Sequence, residues 1–171
     1  MMATLSTWSP RRWSLAGLAF CVLMLAVALG LEHLVGLEPC PLCIFQRVAV
    51  LAAALVLAVA ALHNPIGRGG RLAYGGLGLL AVLGGIGVAG RHLWLQSLPA
   101  DQVPSCGPGL DYMLEVLPLQ DVLSMVLSGS GECAEIDVLW WGVSLPGWTL
   151  LGFLVLALVP LGLLWCGLKR A

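Results

Sequence analysis

Ile44-Phe45-Gln46-Arg47-Val48-Ala49-Val50-Leu51-Ala52-Ala53-Ala54-Leu55-Val56-Leu57-Ala58-Val59-Ala60-Ala61-Leu62 is an apolar run broken by one charge, Arg47. About 20 such residues cross a hydrocarbon core of roughly 30 Å, so residues 44–62 read as a transmembrane helix. Three companions lie at about 14–32, 72–91 and 147–167. Trp13 to Leu31 and Leu72 to Gly90 are uncharged, as is Val138 to Leu168, where Pro146-Gly147 offers a natural start. Of 171 residues, 60% are hydrophobic and 10% charged, against about 25% charged in a soluble domain. The chain is therefore expected to be one all-α membrane domain, a bundle of four transmembrane helices with no nucleic-acid partner.

The first run could instead be a signal peptide, since Arg11 and Arg12 precede it and Ala28-Leu29-Gly30 resembles a small-residue cleavage site. Its uncharged length exceeds the roughly 7–15 residues of a signal core, so it is assigned as the first helix. Short loops rich in Lys and Arg stay cytoplasmic. Arg11 and Arg12, then Arg68 and Arg71, then Lys169 and Arg170 mark one side, which puts both termini and the loop at about 63–71 in the cytoplasm. The opposite loops, at about 33–43 and 93–145, are periplasmic in this reading and, counting Glu32 at the edge of the first, hold all nine acidic residues.

The second outward loop exceeds the roughly 12–15 residues of an ordinary connection and is read as functional. Leu110, Met113, Leu114 and Leu117 recur at helical spacing, which predicts a short helix on the membrane surface, extended by Val122, Leu123, Val126 and Leu127. Gly129-Ser130-Gly131 reads as a flexible hinge before Cys133. In the third span Ala81, Gly85 and Ala89 form a small-residue stripe for close helix packing.

The six cysteines divide by depth. Cys21 and Cys166 fall inside spans and read as small apolar packing residues. Cys40, Cys43, Cys106 and Cys133 all fall on the outward side, an even set able to close two disulfides in an oxidising compartment. Cys40-Pro41-Leu42-Cys43 opens the second helix, with Pro41 suited to its first turn, where the positive end of the helix dipole favours negative charge. A four-cysteine zinc site is disfavoured, because Cys106 and Cys133 are 27 residues apart and no second C-x-x-C exists; no metal is assigned. Closing that 27-residue loop could contribute roughly 3.5 kcal/mol by chain entropy, so Cys106 and Cys133 have a structural reading too. The short C-x-x-C closure gives only about half as much, which leaves redox chemistry as the better motive for Cys40 and Cys43.

Arg47 lies four residues after Cys43, on the same helix face and one turn deeper. An arginine inside a span costs about 2.5–3.5 kcal/mol on insertion scales, so it marks function, the alternative being a snorkel to the headgroups. Beneath Cys43 it could stabilise a thiolate and a reduced quinone oxygen. Arg91 and His92 end the third helix at similar depth and are further candidates for the same pocket, with Gln96 and Trp94 weaker. Trp94, Trp140, Trp141 and Trp148 read first as headgroup-level anchors.

Glu38-Pro39-Cys40-Pro41-Leu42-Cys43, Gln46-Arg47, Arg91-His92, Cys106 and Ser130-Gly131-Glu132-Cys133-Ala134-Glu135, in this order and with four spans, resemble the bacterial disulfide-bond formation protein B (DsbB) family. The resemblance covers nearly the whole chain. It implies an inner-membrane oxidoreductase that reoxidises a periplasmic DsbA-like partner and hands the electrons to a membrane quinone, ubiquinone or alternatively menaquinone. It further implies that the partner attacks a Cys106–Cys133 disulfide and binds at Pro104, Ser105 and Gly107, which flank Cys106. Cys106 would hold the mixed disulfide, Cys133 would attack Cys40–Cys43, and Cys43 would reduce the quinone beside Arg47, with Arg91 and His92 as quinone contacts. A rearranged Cys40–Cys133 bridge is the other resting pairing, and the partner can be general or dedicated. A non-enzymatic membrane protein stapled by disulfides, and a membrane thiol relay of the quinol-epoxide type, are the competing readings.

Overall fold

The computed structural model describes residues 9–99, 101–105, 110–136 and 138–169. Cys106, Gly107, Asp137 and Arg170 lie outside them. Four long helices, α1 (Pro10–Val35), α2 (Pro41–His63), α3 (Arg68–Gln96) and α6 (Leu145–Lys169), are each long and apolar enough to cross a membrane. Between α3 and α6 come α4 (Leu110–Val116), α5 (Leu119–Ser128), a 3-10 turn (Gly131–Ala134) and a hairpin of β1 (Leu139–Trp140) and β2 (Val143–Ser144). The four-helix expectation holds, although every helix is longer than the span expected for it.

The extra turns come from capping. Ser9 caps α1 by accepting the Arg12 N–H, Gly36 closes that helix at φ +77°, and Asn64 closes α2 at φ +47°. Left-handed C-caps satisfy carbonyls that would otherwise be orphaned. Because α1 runs to Val35, Glu32 sits in its last turn rather than in the loop where the charge pattern had put it.

The helices close a ring in which α3 lies between α2 and α6, and α1 bridges α2 and α6. Cys21, Val50, Ala53, Leu57, Val82, Ala89, Phe153, Leu156, Val159 and Leu163 form its core. Leucines and valines such as Leu51, Leu55, Leu80, Leu154 and Leu158 are exposed on the outside, the surface a bilayer would cover. The tightest seam is α3 on α6. The buried face of α3 reads Arg71, Gly75, Gly78, Val82, Gly85, Ala89 and His92, an alternation of four and three residues typical of left-handed helix pairs. A Cβ on Gly85 would lie 2.2 Å from the Phe153 ring, so only glycine leaves room for that buried ring against α3.

The outward loop differs from expectation in two places. One continuous surface helix was expected, but Pro118 ends α4 and caps α5, since it has no N–H to extend the preceding helix. The Gly129-Ser130-Gly131 segment is packed: Gly129 (φ +87°) rests on Leu95, Gly131 is buried, and its N–H reaches the Ser105 carbonyl at 3.4 Å. In the hairpin, Trp141 and Gly142 both have positive φ, the two-residue turn that matches strand twist.

Candidate functional site

The C-x-x-C motif occupies the N-terminus of α2, with Cys40 as N-cap and Pro41 as the first helical residue. A backbone fixed near φ −65° without an N–H suits that position. One turn of helix brings Cys43 under Cys40, and the two sulfurs are 3.2 Å apart. His92, buried at the end of the α3 seam, faces both of them. Its Nε2 is 3.8 Å from Cys40 Sγ and its Nδ1 is 4.0 Å from Cys43 Sγ. Buried Gln46 holds the ring through a 3.2 Å contact between its Nε2 and His92 Nδ1.

Cys40, Cys43, Gln46, Arg47 and Val50 follow one face of α2 into a cavity of about 460 Å³. Its walls are mainly apolar, supplied by Met24, Val27 and Leu31 of α1 and by Leu151 and Val155 of α6, with Trp140 and Trp148 at one edge. Arg47 ion-pairs with Glu32, and its other terminal nitrogen donates to the Ala28 carbonyl at 3.2 Å. The arginine inside the span is thus held by two groups of α1 while it lines the cavity. Gln96 lines it too, accepting from Ser144 Oγ at 2.7 Å and donating to the Glu135 carbonyl at 3.2 Å. These bonds tie both ends of the segment carrying the hairpin to α3.

Cys133 reaches the motif from a different side. It is fully buried in an apolar cluster with Leu42, Leu95, Met113, Val122 and Val126, against which Cys40 packs. Ser130 Oγ lies 3.6 Å from its sulfur. A hydrogen bond to Cys40, followed by burial, pushes the Cys133 thiol well above its ordinary range.

Of the residues singled out from the sequence, Cys40, Cys43, Arg47 and His92 are brought together, and Cys133 joins them through Cys40. Arg91 goes elsewhere. It donates to the Leu127 and Ser128 carbonyls at 3.1 and 2.7 Å and lies over the Trp94 ring. There it caps the C-terminal carbonyls of α5, where the helix dipole favours a cation. Consecutive helical residues point about 100° apart, so Arg91 and His92 cannot both face the thiols. Cys106 lies outside the described residues. Sequence reasoning missed Glu32 as the Arg47 partner and Gln46 as the support of His92. The four-three rhythm of small residues along α3 was the available signal for His92, because it runs from Gly75 through Gly85 and Ala89 to that position.

A membrane-spanning helical bundle with a C-x-x-C pair at a helix N-terminus, over an intramembrane cavity and in touch with a third cysteine from a loop, defines a class: a membrane thiol oxidoreductase. Residues 10–163 match the family described as Disulfide bond formation protein DsbB. The Disulfide bond formation protein B of Chromohalobacter salexigens is 62% identical over 164 residues, covering 96% of this chain and 95% of that protein. The proteins of the same name from Nitrosococcus oceani (54% identity, 85% of each chain) and Acinetobacter baumannii (55% identity, 86% of this chain and 82% of that one) are similar as well. The chain belongs to the DsbB family, and its role is disulfide bond formation.

Proposed function

We propose that this chain reoxidises a DsbA-like thiol oxidant on the periplasmic face of the bacterial inner membrane and delivers the electrons to a membrane quinone. The observation that carries this reading is the two-sided access to Cys40–Cys43: Cys133 touches Cys40 from the loop cluster, while Cys43 and Arg47 border the apolar cavity.

The partner's dithiol reduces Cys106–Cys133 by two thiol-disulfide exchanges, with Cys106 in the mixed disulfide and Cys133 leaving. The Cys133 sulfur then attacks Cys40, the Cys40–Cys43 bond breaks with its electron pair on Cys43, and Cys106 attacks Cys133 to restore the Cys106–Cys133 bond and free Cys40. Each exchange forms one S–S bond and breaks one, so two electrons and two protons move inward per cycle. The cavity residues fit a quinone, because a flat apolar molecule matches its aliphatic walls and Arg47, His92 and Gln96 supply polar groups in its lining. When bound, a quinone supplies the two-electron acceptor that regenerates the Cys40–Cys43 disulfide. Arg47 offers positive charge to a developing oxyanion in a low-dielectric site, and Glu32 holds the guanidinium in place. His92, within 4.0 Å of Cys43 Sγ, is placed to take a thiol proton. Both termini are cytoplasmic in this scheme.

The test is anaerobic mixing of the purified chain with reduced DsbA-like protein and ubiquinone or menaquinone, following quinone absorbance. Turnover with one of them, lost in Cys43→Ser, is the expected result. No turnover with either quinone overturns the proposal.

A further inference from the structure

We propose that the reduced Cys40 and Cys43 pair, together with His92, binds one thiophilic divalent cation of the zinc class, and that the bound ion arrests the thiol chemistry of this site. Two sulfurs from a C-x-x-C and one imidazole nitrogen from another helix lie within 4.8 Å of one another. Tetrahedral bonds of about 2.3 Å to sulfur and about 2.0–2.1 Å to nitrogen set ligand atoms roughly 3.5–3.8 Å apart. The Cys40–Cys43 sulfurs at 3.2 Å and the Cys40 Sγ to His92 Nε2 separation at 3.8 Å need only small side-chain rotations to reach that shell.

A metal-bound histidine works best when its second nitrogen donates to a fixed acceptor. Gln46 stands 3.2 Å from His92 Nδ1. With its amide oriented oxygen-first, an assignment that exchanges two nearly identical atoms, Gln46 accepts the Nδ1 proton and leaves Nε2 as the ligand beside Cys40. Cys40 and Cys43 are half-buried and border the cavity, so an ion has a route in, whereas His92 is interior. Cys133 is not one of this group. Three protein ligands with a fourth position open to water give the open type of zinc site rather than the closed structural type.

Binding exchanges two thiol protons for one ion, M²⁺ plus two R–SH giving M(S–R)₂ plus two H⁺, with no change of oxidation state. A Cys40–Cys43 disulfide offers no thiolate, so the site exists only in the reduced chain. The inhibitory consequence rests on the proposed electron route; the binding itself does not.

The experiment uses the full chain in detergent, reduced, freed of reductant under anaerobic conditions and titrated with Cd²⁺. Thiolate-to-metal charge-transfer absorbance and proton release are followed, with X-ray absorption on the Zn²⁺-loaded protein. One ion per chain, two protons, a shell of two sulfurs and one imidazole nitrogen, and no binding after oxidation are expected. Cys106→Ser/Cys133→Ser retains this stoichiometry. His92→Ala weakens binding at least tenfold, and Gln46→Ala by roughly 10–100-fold. Gln46→Ala and the X-ray shell decide the matter if His92→Ala fails to fold. Equal binding by oxidised chain, unchanged affinity in both variants, a shell without imidazole, or loss of the site in the double serine variant overturns the proposal. Quinone turnover is measured on metal-free protein, so failure of the redox reading and failure of the metal site are separate results.

Discussion

Replacing Gly129 by alanine should release Cys133 from Cys40 without disturbing the four long helices. Gly129 combines φ +87° with ψ 144°, a region in which a side chain costs about 1–3 kcal/mol. Its added Cβ would stand 2.3 Å from Leu95 Cδ1, and Leu95 is fully buried, so overpacking adds about 1–3 kcal/mol more. The cheapest relief is to lift the Gly129–Ala134 segment off the end of α3. A combined penalty of about 2–6 kcal/mol lowers the ratio of docked to undocked segment by between about 30-fold and about 10⁴-fold at 1.4 kcal/mol per factor of ten. Peptide-resolved maleimide labelling of the reduced chain reads this directly, because docked Cys133 is fully buried. Gly142→Ala is the control. Gly142 also has positive φ but nothing within 4 Å of its added Cβ, so that variant carries strain without the clash and leaves Cys133 protected. A Gly129→Ala chain that labels Cys133 as slowly as its parent, with helix content unchanged, would refute the docking argument.

Arg47→Ala removes the cation at the cavity and leaves Glu32 without its partner, so quinone reduction should slow by about 10²-fold, the effect of deleting one oxyanion donor. Arg91→Ala is expected to loosen α5 by about 0.3–1 kcal/mol while leaving the KM for quinone unchanged; stopped-flow absorbance and hydrogen exchange separate the two variants. The raised Cys133 thiol makes docking pH-dependent. Because the docked state keeps its proton where a free thiol loses it, docking is fully favoured below the ordinary thiol range and weakens as pH rises through it. Labelling of Cys133 should therefore accelerate with pH more steeply than a fully exposed thiol does, and a parallel profile would count against the Cys40 contact.

The spans were legible because a bilayer imposes a length and a polarity that composition alone reports, and Cys40-Pro41-Leu42-Cys43 was legible because Pro41 marks a helix start. Arg47 stood out because a charge in a span needs a partner. That partner was not legible: Glu32 is 15 residues upstream on another helix, and only the caps that lengthen α1 turn it from a loop residue into a helical one. Arg91 and His92 were indistinguishable by depth, and helix rotation separates them. The loop was the least readable part. Pro118 breaks a pattern whose hydrophobic period runs on unchanged, and the Gly129 segment has the composition of a hinge but the contacts of a buried joint. Trp141 at positive φ is a turn that local preference would not choose, held where the hairpin leads into α6.

The packing seam of α3 makes the number of residues between Gly85 and His92 a quantity in its own right. Gly85 is locked against Phe153, so everything beyond it is indexed to that contact as the teeth of a gear are indexed to its shaft. Substitutions along the outer face leave the indexing alone. Insertion of a single residue after Gly85 would turn the following segment by about 100°, withdraw the imidazole from the sulfurs and present the Arg91 guanidinium in its place. The stretch is therefore expected to tolerate changes of residue far better than changes of length.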